Sequence, residues 1–345
     1  MPKSIRYYGI LSLAIVASLF SWSGCDSTTN ATVTQSVVNI AWLPDESGMI
    51  AVIDKQTVST IDNSTTITRA LYRVGLDGSI GNAIGLGEQS RVSPYGFSPL
   101  AISSDGSFII GQMGANIYRV NLGDNTKTEL VHATNLLGVS PDMKYVLTTT
   151  FYPNDLAPLY RIYDVAVNPP LLVGRGFTPT SVVSTSGRAL WLDGVRFALT
   201  YSDTASYEHV SICDISGTAL MSIPNSEATN VHGAYAPQTQ ELFVRNRAGG
   251  IDRINLQTNL RDSIVELGGF ESMDASQDGK LVTFTSSDTL APYNLLAVNT
   301  SNRHSATIAS DAITPFISPR GDRVAYIHRA DPNQDIKVIG VSIPQ

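Results

Sequence analysis

Ala275-Ser276-Gln277-Asp278-Gly279-Lys280-Leu281-Val282-Thr283-Phe284-Thr285-Ser286 is a polar turn with Asp-Gly near its apex, followed by a run alternating apolar and hydroxyl side chains. Asp-Gly supplies the positive φ a tight hairpin needs, and the alternation has the period of a strand. The phrase returns as Ser103-Ser104-Asp105-Gly106-Ser107-Phe108, as Ser140-Pro141-Asp142-Met143-Lys144-Tyr145 and as Ser318-Pro319-Arg320-Gly321-Asp322-Arg323. Fainter copies run from Pro44 to Val52, Ser184 to Trp191 and Ala236 to Val244. A hairpin recurring about every 40 to 50 residues marks a repeat architecture, and at this period a β-propeller.

Each repeat continues in the same way. After a variable loop comes a third strand such as Asn116-Ile117-Tyr118-Arg119-Val120-Asn121 or Ile251-Asp252-Arg253-Ile254-Asn255, then a short fourth strand. Turns fall near Gly48, Gly106, Met143, Gly187, Thr239, Gly279 and Gly321, with Met143 and Thr239 standing where glycine is missing. The fold class expected is therefore all-β, a seven-bladed propeller of four-stranded antiparallel blades, with six blades as the alternative. The last repeat stops after its third strand, Asp335 to Val341. Ala31 to Gln35, ahead of the first repeat, is expected to supply the missing strand and so close the ring and hide its edges.

Composition agrees. Of 345 residues only 15% are charged, while Ser, Thr, Asn and Gly abound, a mixture that suits strands and turns. Lys3 and Arg6 precede the apolar run Ile10 to Phe20, which is too short to span a bilayer and reads as an export signal. The domains expected are a signal peptide over 1–24, a polar tether over 25–30 and one propeller over 31–345. Loss of Lys3 and Arg6 with the signal takes the formal charge from −7 to −9, and no basic run remains, so nucleic acid is not an expected partner. Cys213 lies in an apolar strand and is expected to be a buried small hydrophobe.

Two resemblances add to this reading. Gly24-Cys25 followed by Asp26-Ser27-Thr28 resembles the lipobox and tether of bacterial lipoproteins, which implies acylation at Cys25 and a membrane anchor in the cell envelope, facing the periplasm or the cell surface. The Ser-Pro-Asp-Gly-like turn with the Ile117-Tyr118-Arg119-Val120-Asn121-Leu122 strand resembles TolB-type propeller repeats, related to WD repeats. That resemblance covers nearly the whole mature chain, and it implies a blade and not an activity.

Signatures of catalysis are missing: the chain has no GxSxG, no HExxH and no P-loop. His132, His209, His232, His304 and His328 fall in different repeats without metal-ligand spacing, so neither a metal nor a cofactor is expected. His232 is the histidine expected nearest the central channel. By propeller topology the loops between second and third strands share a face with those joining successive blades, opposite the Asp-Gly turns. That loop face carries Arg91, Tyr95, Tyr152, Asp155 and Tyr207, candidates for contact with a partner. Arg245-Asn246-Arg247 and Arg253 form a modest basic cluster in an acidic chain. The expectation is a non-enzymatic envelope lipoprotein whose propeller is a scaffold for an envelope protein. The alternatives are a small ligand or glycan bound in the channel, or a propeller lyase or hydrolase.

Overall fold

The computed structural model describes residues 31–60, 64–90, 100–132, 135–150, 159–175, 189–202, 208–224, 226–227, 233–266, 270–286, 293–329 and 333–344. It is all-β, without a helix among the described residues, and its strands form seven antiparallel sheets. Two compact units are distinguished. Met1–Thr34 with Gln56–Thr66 contributes, among the described residues, only strand ends; Gln35–Lys55 with Ile67–Gln345 carries the blades.

Blade one is Ala31–Trp42, Met49–Ser59, Thr65–Val74 and Ile80–Ser90. Blade two is Leu100–Ile102, Phe108–Met113, Asn116–Asn121 and Lys127–His132; blade three is Asn135–Val139, Tyr145–Thr150, Leu159–Asp164 and Leu171–Arg175. Blade four is Leu190–Trp191, Arg196–Ser202, Glu208–Asp214 and Ala219–Pro224. Blade five has Ser226–Glu227 and Gly233–Ala236 side by side on Glu241–Asn246, followed by Ile251–Asn255 and Arg261–Val265. Blade six is Phe270–Ala275, Leu281–Ser286, Leu295–Asn299 and Ser305–Ala309; blade seven is Ala312–Ile317, Arg323–Arg329 and Gln334–Gly340. First strands of successive blades pack on one another from blade two to blade seven, so they are the innermost.

Cohesion comes from the seams between blades. Each of seven hydrophobic clusters joins one blade to the next, and the series returns from blade seven to blade one. Between blades three and four, Leu147, Tyr160 and Ile162 meet Trp191, Phe197 and Cys213. Each such side chain contributes about 1.5–3 kcal/mol when fully buried. Cys213 is a free, buried thiol, as expected, and burial pushes its pKa up. The seams also explain why Leu281–Ser286 does not alternate in burial. Both faces of a blade are covered by neighbours, so Thr283 and Thr285 are as deeply buried as Val282 and Phe284.

The turns follow their chemistry, with three corrections. The positive-φ apex of blade one is Glu46 (φ 57°), not the region of Gly48, and that of blade five is Gln240 (φ 53°), not Thr239. In blade four the turn is at Asp193-Gly194, where Asp193 accepts bonds from the Val195 and Arg196 amides. Residues 189–191, which the sequence reading put after a turn at Gly187, precede it. Met143, at φ 61°, adopts the same turn as its glycine counterparts, its amide bonding the Ser140 carbonyl.

Aspartates hold these turns in place. Asp105 Oδ1 accepts from Ser103 Oγ (2.6 Å), the Ser107 amide (3.0 Å) and Ser107 Oγ (2.7 Å). These bonds, the Ser103 hydroxyl foremost, lower its pKa from 3.8 to about 2. A carboxyl depressed in the folded state stabilises above its unfolded value, and that contribution is lost as pH falls through the folded one. Thermal midpoints measured between pH 4 and pH 2, the window set by those two values, are therefore expected to fall. Asp105→Asn should flatten that slope and leave the midpoint at pH 1 unchanged.

The N-terminal strand does take part in closing the ring, though not as a fourth strand of blade seven. It stays in the first sheet, and among the described residues blade seven has three strands. Closure runs through side chains instead. The Gln35 amide bonds Asn333 Oδ1 (3.0 Å), the Val37 amide bonds Gln334 Oε1 (2.8 Å), and Trp42 Nε1 donates to the Phe316 carbonyl (2.9 Å). At the turn end the Arg320 amide donates to Glu46 Oε1 (2.6 Å).

Candidate functional site

Cys25, Arg91, Tyr95, Tyr152, Asp155, Tyr207 and His232 all lie outside the described residues, so the geometry neither gathers nor separates them. In blade five Glu227 faces Arg245 and Gly233 faces Val244.

The described residues assemble a different cluster at the loop-face corner between blades six and seven. Tyr293 precedes the third strand of blade six, Asp311 joins the two blades, and His328 and Arg329 end the second strand of blade seven. Backbone bonds tie the corner together: Ala312 N to the Tyr293 carbonyl (3.0 Å) and Arg329 N to the Asp311 carbonyl (2.7 Å). Asp311 sits at φ 55°, a left-handed conformation that Asp tolerates better than most residues.

Arg329 lies over the Tyr293 ring, its Cζ 5.6 Å from the centroid. Some other arginines are neutralised: Asp54 grips Arg69 through both oxygens (2.6 and 2.9 Å), and Asp252 holds Arg261, whereas Arg119 lies over the Phe108 ring, its Cζ 3.7 Å from the centroid. Arg329 has no carboxylate partner among the described residues and is exposed, so its planar fork is free for a bidentate anion. His328 stands opposite Ala312 on one side and Asp335 on the other. Its Nδ1 is buried without a hydrogen-bond partner. Tyr326, two residues before it, has its phenol pKa pushed up by burial.

Beneath the corner the seam is polar. Ser272 Oγ (2.6 Å) and Thr285 Oγ1 (3.2 Å) both donate to the Ile313 carbonyl, and the Ile317 amide donates to Asp274 Oδ2 (2.7 Å). These bonds brace the innermost strand of blade seven where its register slips between Ala312 and Pro315. On the far flank of blade six, Arg245 lies over Phe270, with Cζ 5.7 Å from the ring centroid. The loop face of blade six is thus bracketed by two arginines, each braced on an aromatic ring.

Sequence reading weighed His328 only as an isolated histidine and Arg245 only as part of a surface cluster, and it passed over Arg329. The usable signal was the pair His328-Arg329 ending an apolar strand at the loop face. Tyr293 and Asp311 lie 36 and 18 positions before Arg329 in the numbering; the first hairpin of blade seven brings Asp311 to it, and the stacking of blade six on blade seven brings Tyr293.

No family model matches the chain, and no curated protein sequence matches it. Among solved structures, an oligogalacturonate lyase in complex with manganese is similar at 12% identity and a TM-score of 0.63, over 91% of both chains. The oligogalacturonate lyase of Vibrio parahaemolyticus is similar at 11% identity and a TM-score of 0.60, over 92% of this chain and 95% of that one. Hydrazine synthase of Kuenenia stuttgartiensis is similar at 14% identity and a TM-score of 0.60, over 93% and 99%. At such identities the likeness establishes the seven-bladed fold, and it assigns no TolB-type family.

It also corrects the expectation that the chain is not an enzyme. That expectation rested on a bare ring without catalytic motifs, and the ring is an architecture that carries lyases in two of the structures it resembles. Manganese finds no match here: the described residues hold no group of three His, Cys, Asp or Glu placed to bind a metal ion.

Proposed function

We propose that the protein is a propeller enzyme of the lyase kind, acting on a uronate-containing oligosaccharide at the corner between blades six and seven. The observation that carries this reading is Arg329, a guanidinium braced on Tyr293 and without a carboxylate partner among the described residues, next to His328 in sequence. Propeller lyases of an acidic glycan among the similar folds support it.

Elimination from a uronate breaks the C–H bond next to the carboxylate. A base takes the proton, the electron pair becomes a double bond to the neighbouring carbon, and the glycosidic oxygen on that carbon leaves. Charge develops on the carboxylate as the proton departs. A guanidinium fixed against it stabilises that enolate-like, doubly charged group more than the starting carboxylate, which is the condition for catalysis.

The test is to incubate the full chain with trigalacturonate and follow the ultraviolet absorbance of the unsaturated product. Arg329→Ala is expected to lower kcat/KM about 100-fold, the scale for losing one charge-stabilising donor. No unsaturated product from the wild type would overturn the reading, and so would an Arg329→Ala enzyme of full activity.

A further inference from the structure

We propose that the outer rim of blade three is a docking surface for a second copy of this chain, through antiparallel pairing of Leu171–Arg175 with its own image. The proposal does not depend on the carbohydrate reading of the corner between blades six and seven.

Ten large apolar side chains are exposed among the described residues, and four of them, Val167, Leu171, Leu172 and Val173, fall within seven positions of blade three. Leu171–Arg175 is the outermost strand of that blade and pairs on one side only. Successive side chains of a strand point to opposite faces, so exposure of both Leu171 (58%) and Leu172 (39%) means that both faces of this strand are open. The next blade extends the surface. A Cβ on Gly174 would meet the Ile215 carbonyl, and the Ile215 amide bonds the carbonyl of Val195, whose side chain is half exposed.

Other outer strands carry guards against pairing. Lys127 and Glu129 stand on that of blade two, Arg261 and Asp262 on that of blade five, and Pro224 ends that of blade four. Blade three carries no charge between Asp164 and Arg175. A chain of net charge −7 repels a copy of itself over most of its surface, and this stretch lets two copies meet without opposing like charges. A twofold axis at Leu172 sets Leu171 against Val173 of the second copy and Leu172 against itself, a self-complementary contact that closes at two subunits. Strand pairing also gives partners to backbone groups of the open edge. Taking about 60–120 Å² for a whole apolar side chain, the half-exposed chains of both copies, Val195 included, come to about 300–600 Å², which is the range of weak, reversible complexes.

Sedimentation of the full chain between about 5 and 500 µM should show reversible dimerisation with a Kd of about 0.1 mM. Leu172→Lys and Leu172→Glu each place like charges on the axis and are expected to weaken it about tenfold or more, while an equimolar mixture of the two restores it as a heterodimer. Leu260→Lys, at the most exposed of the ten positions (70%), should leave it unchanged. Thermal midpoints check that each variant is folded, and should Leu172 tolerate no charge, a mixture of Leu171→Lys with Val173→Glu repeats the test one position away. A wild type that stays monomeric would overturn the proposal, as would dimers indifferent to charge at these positions or a Lys–Glu mixture that does not pair. A monomeric wild type that sediments with phosphatidylcholine vesicles would overturn it in favour of a lipid surface.

Discussion

Gly78→Val is expected to cost about 3–5 kcal/mol and to make the protein prone to self-association. Gly78 lies in the turn after the third strand of blade one at φ 81°, where a β-branched residue is strained before any contact is counted. A Cβ there would lie 2.1 Å from the Ile336 carbonyl oxygen, which is backbone and cannot swing aside. Ile336 belongs to the third strand of blade seven, the blade in which the described residues form no fourth strand. The turn at Gly78 thus covers an edge that a fourth strand covers elsewhere, and displacing it exposes unpaired backbone to other chains. Denaturant unfolding with light scattering reads both effects. Gly340→Ala is the control: it lies on the same strand with no atom within 4 Å of the added carbon, so a change of no more than about 0.5 kcal/mol is expected. Equal losses at both glycines would show that the strand merely tolerates no substitution, and the edge-covering role of Gly78 would be lost.

Trp42→Ala should cost a similar amount, about 3–5 kcal/mol. The indole packs in the seam between blades seven and one, against the cluster of Ala325, Ile327 and Ile336, and its Nε1 donates to the Phe316 carbonyl across that seam. Trp42→Phe divides the effect. It keeps most of the packing and removes the bond, a loss of about 1 kcal/mol. Trp191→Phe is the informative partner. Trp191 packs the seam between blades three and four with its Nε1 buried and unmet, so the change removes an unsatisfied donor. Denaturation midpoints should therefore fall further for Trp42→Phe than for Trp191→Phe. The reverse order would mean that ring closure does not depend on the Phe316 bond.

The fold was legible because its deciding features are local. Asp278-Gly279 and its copies report a turn through their own φ preference, and their spacing repeats along the chain, so the number of blades could be read without any long-range contact. Where the local signal was ambiguous the reading slipped. Glu46 and Gln240 hold positive φ although neither residue type advertises it, and Glu46 does so while bonding the Arg320 amide across the closing seam. The Ser184–Trp191 copy falls one strand early, because Asp193-Gly194 lacks the serine that opens the turns of blades two, three, six and seven.

By itself the sequence determined the class of structure and pointed to seven repeats. Those follow from backbone preferences and periodicity, which act over a few residues. Tertiary structure alone decided how the ring closes and which side chains meet at its loop face. Trp42 and Phe316, or Tyr293 and Arg329, are brought together by the circular stacking of blades, and no pattern along the chain encodes a contact between residues whose separation is set by closure. The free guanidinium of Arg329 and the dry nitrogen of His328 belong to this second kind. What distinguishes them is what surrounds them after folding, and their residue types in an unfolded chain are ordinary.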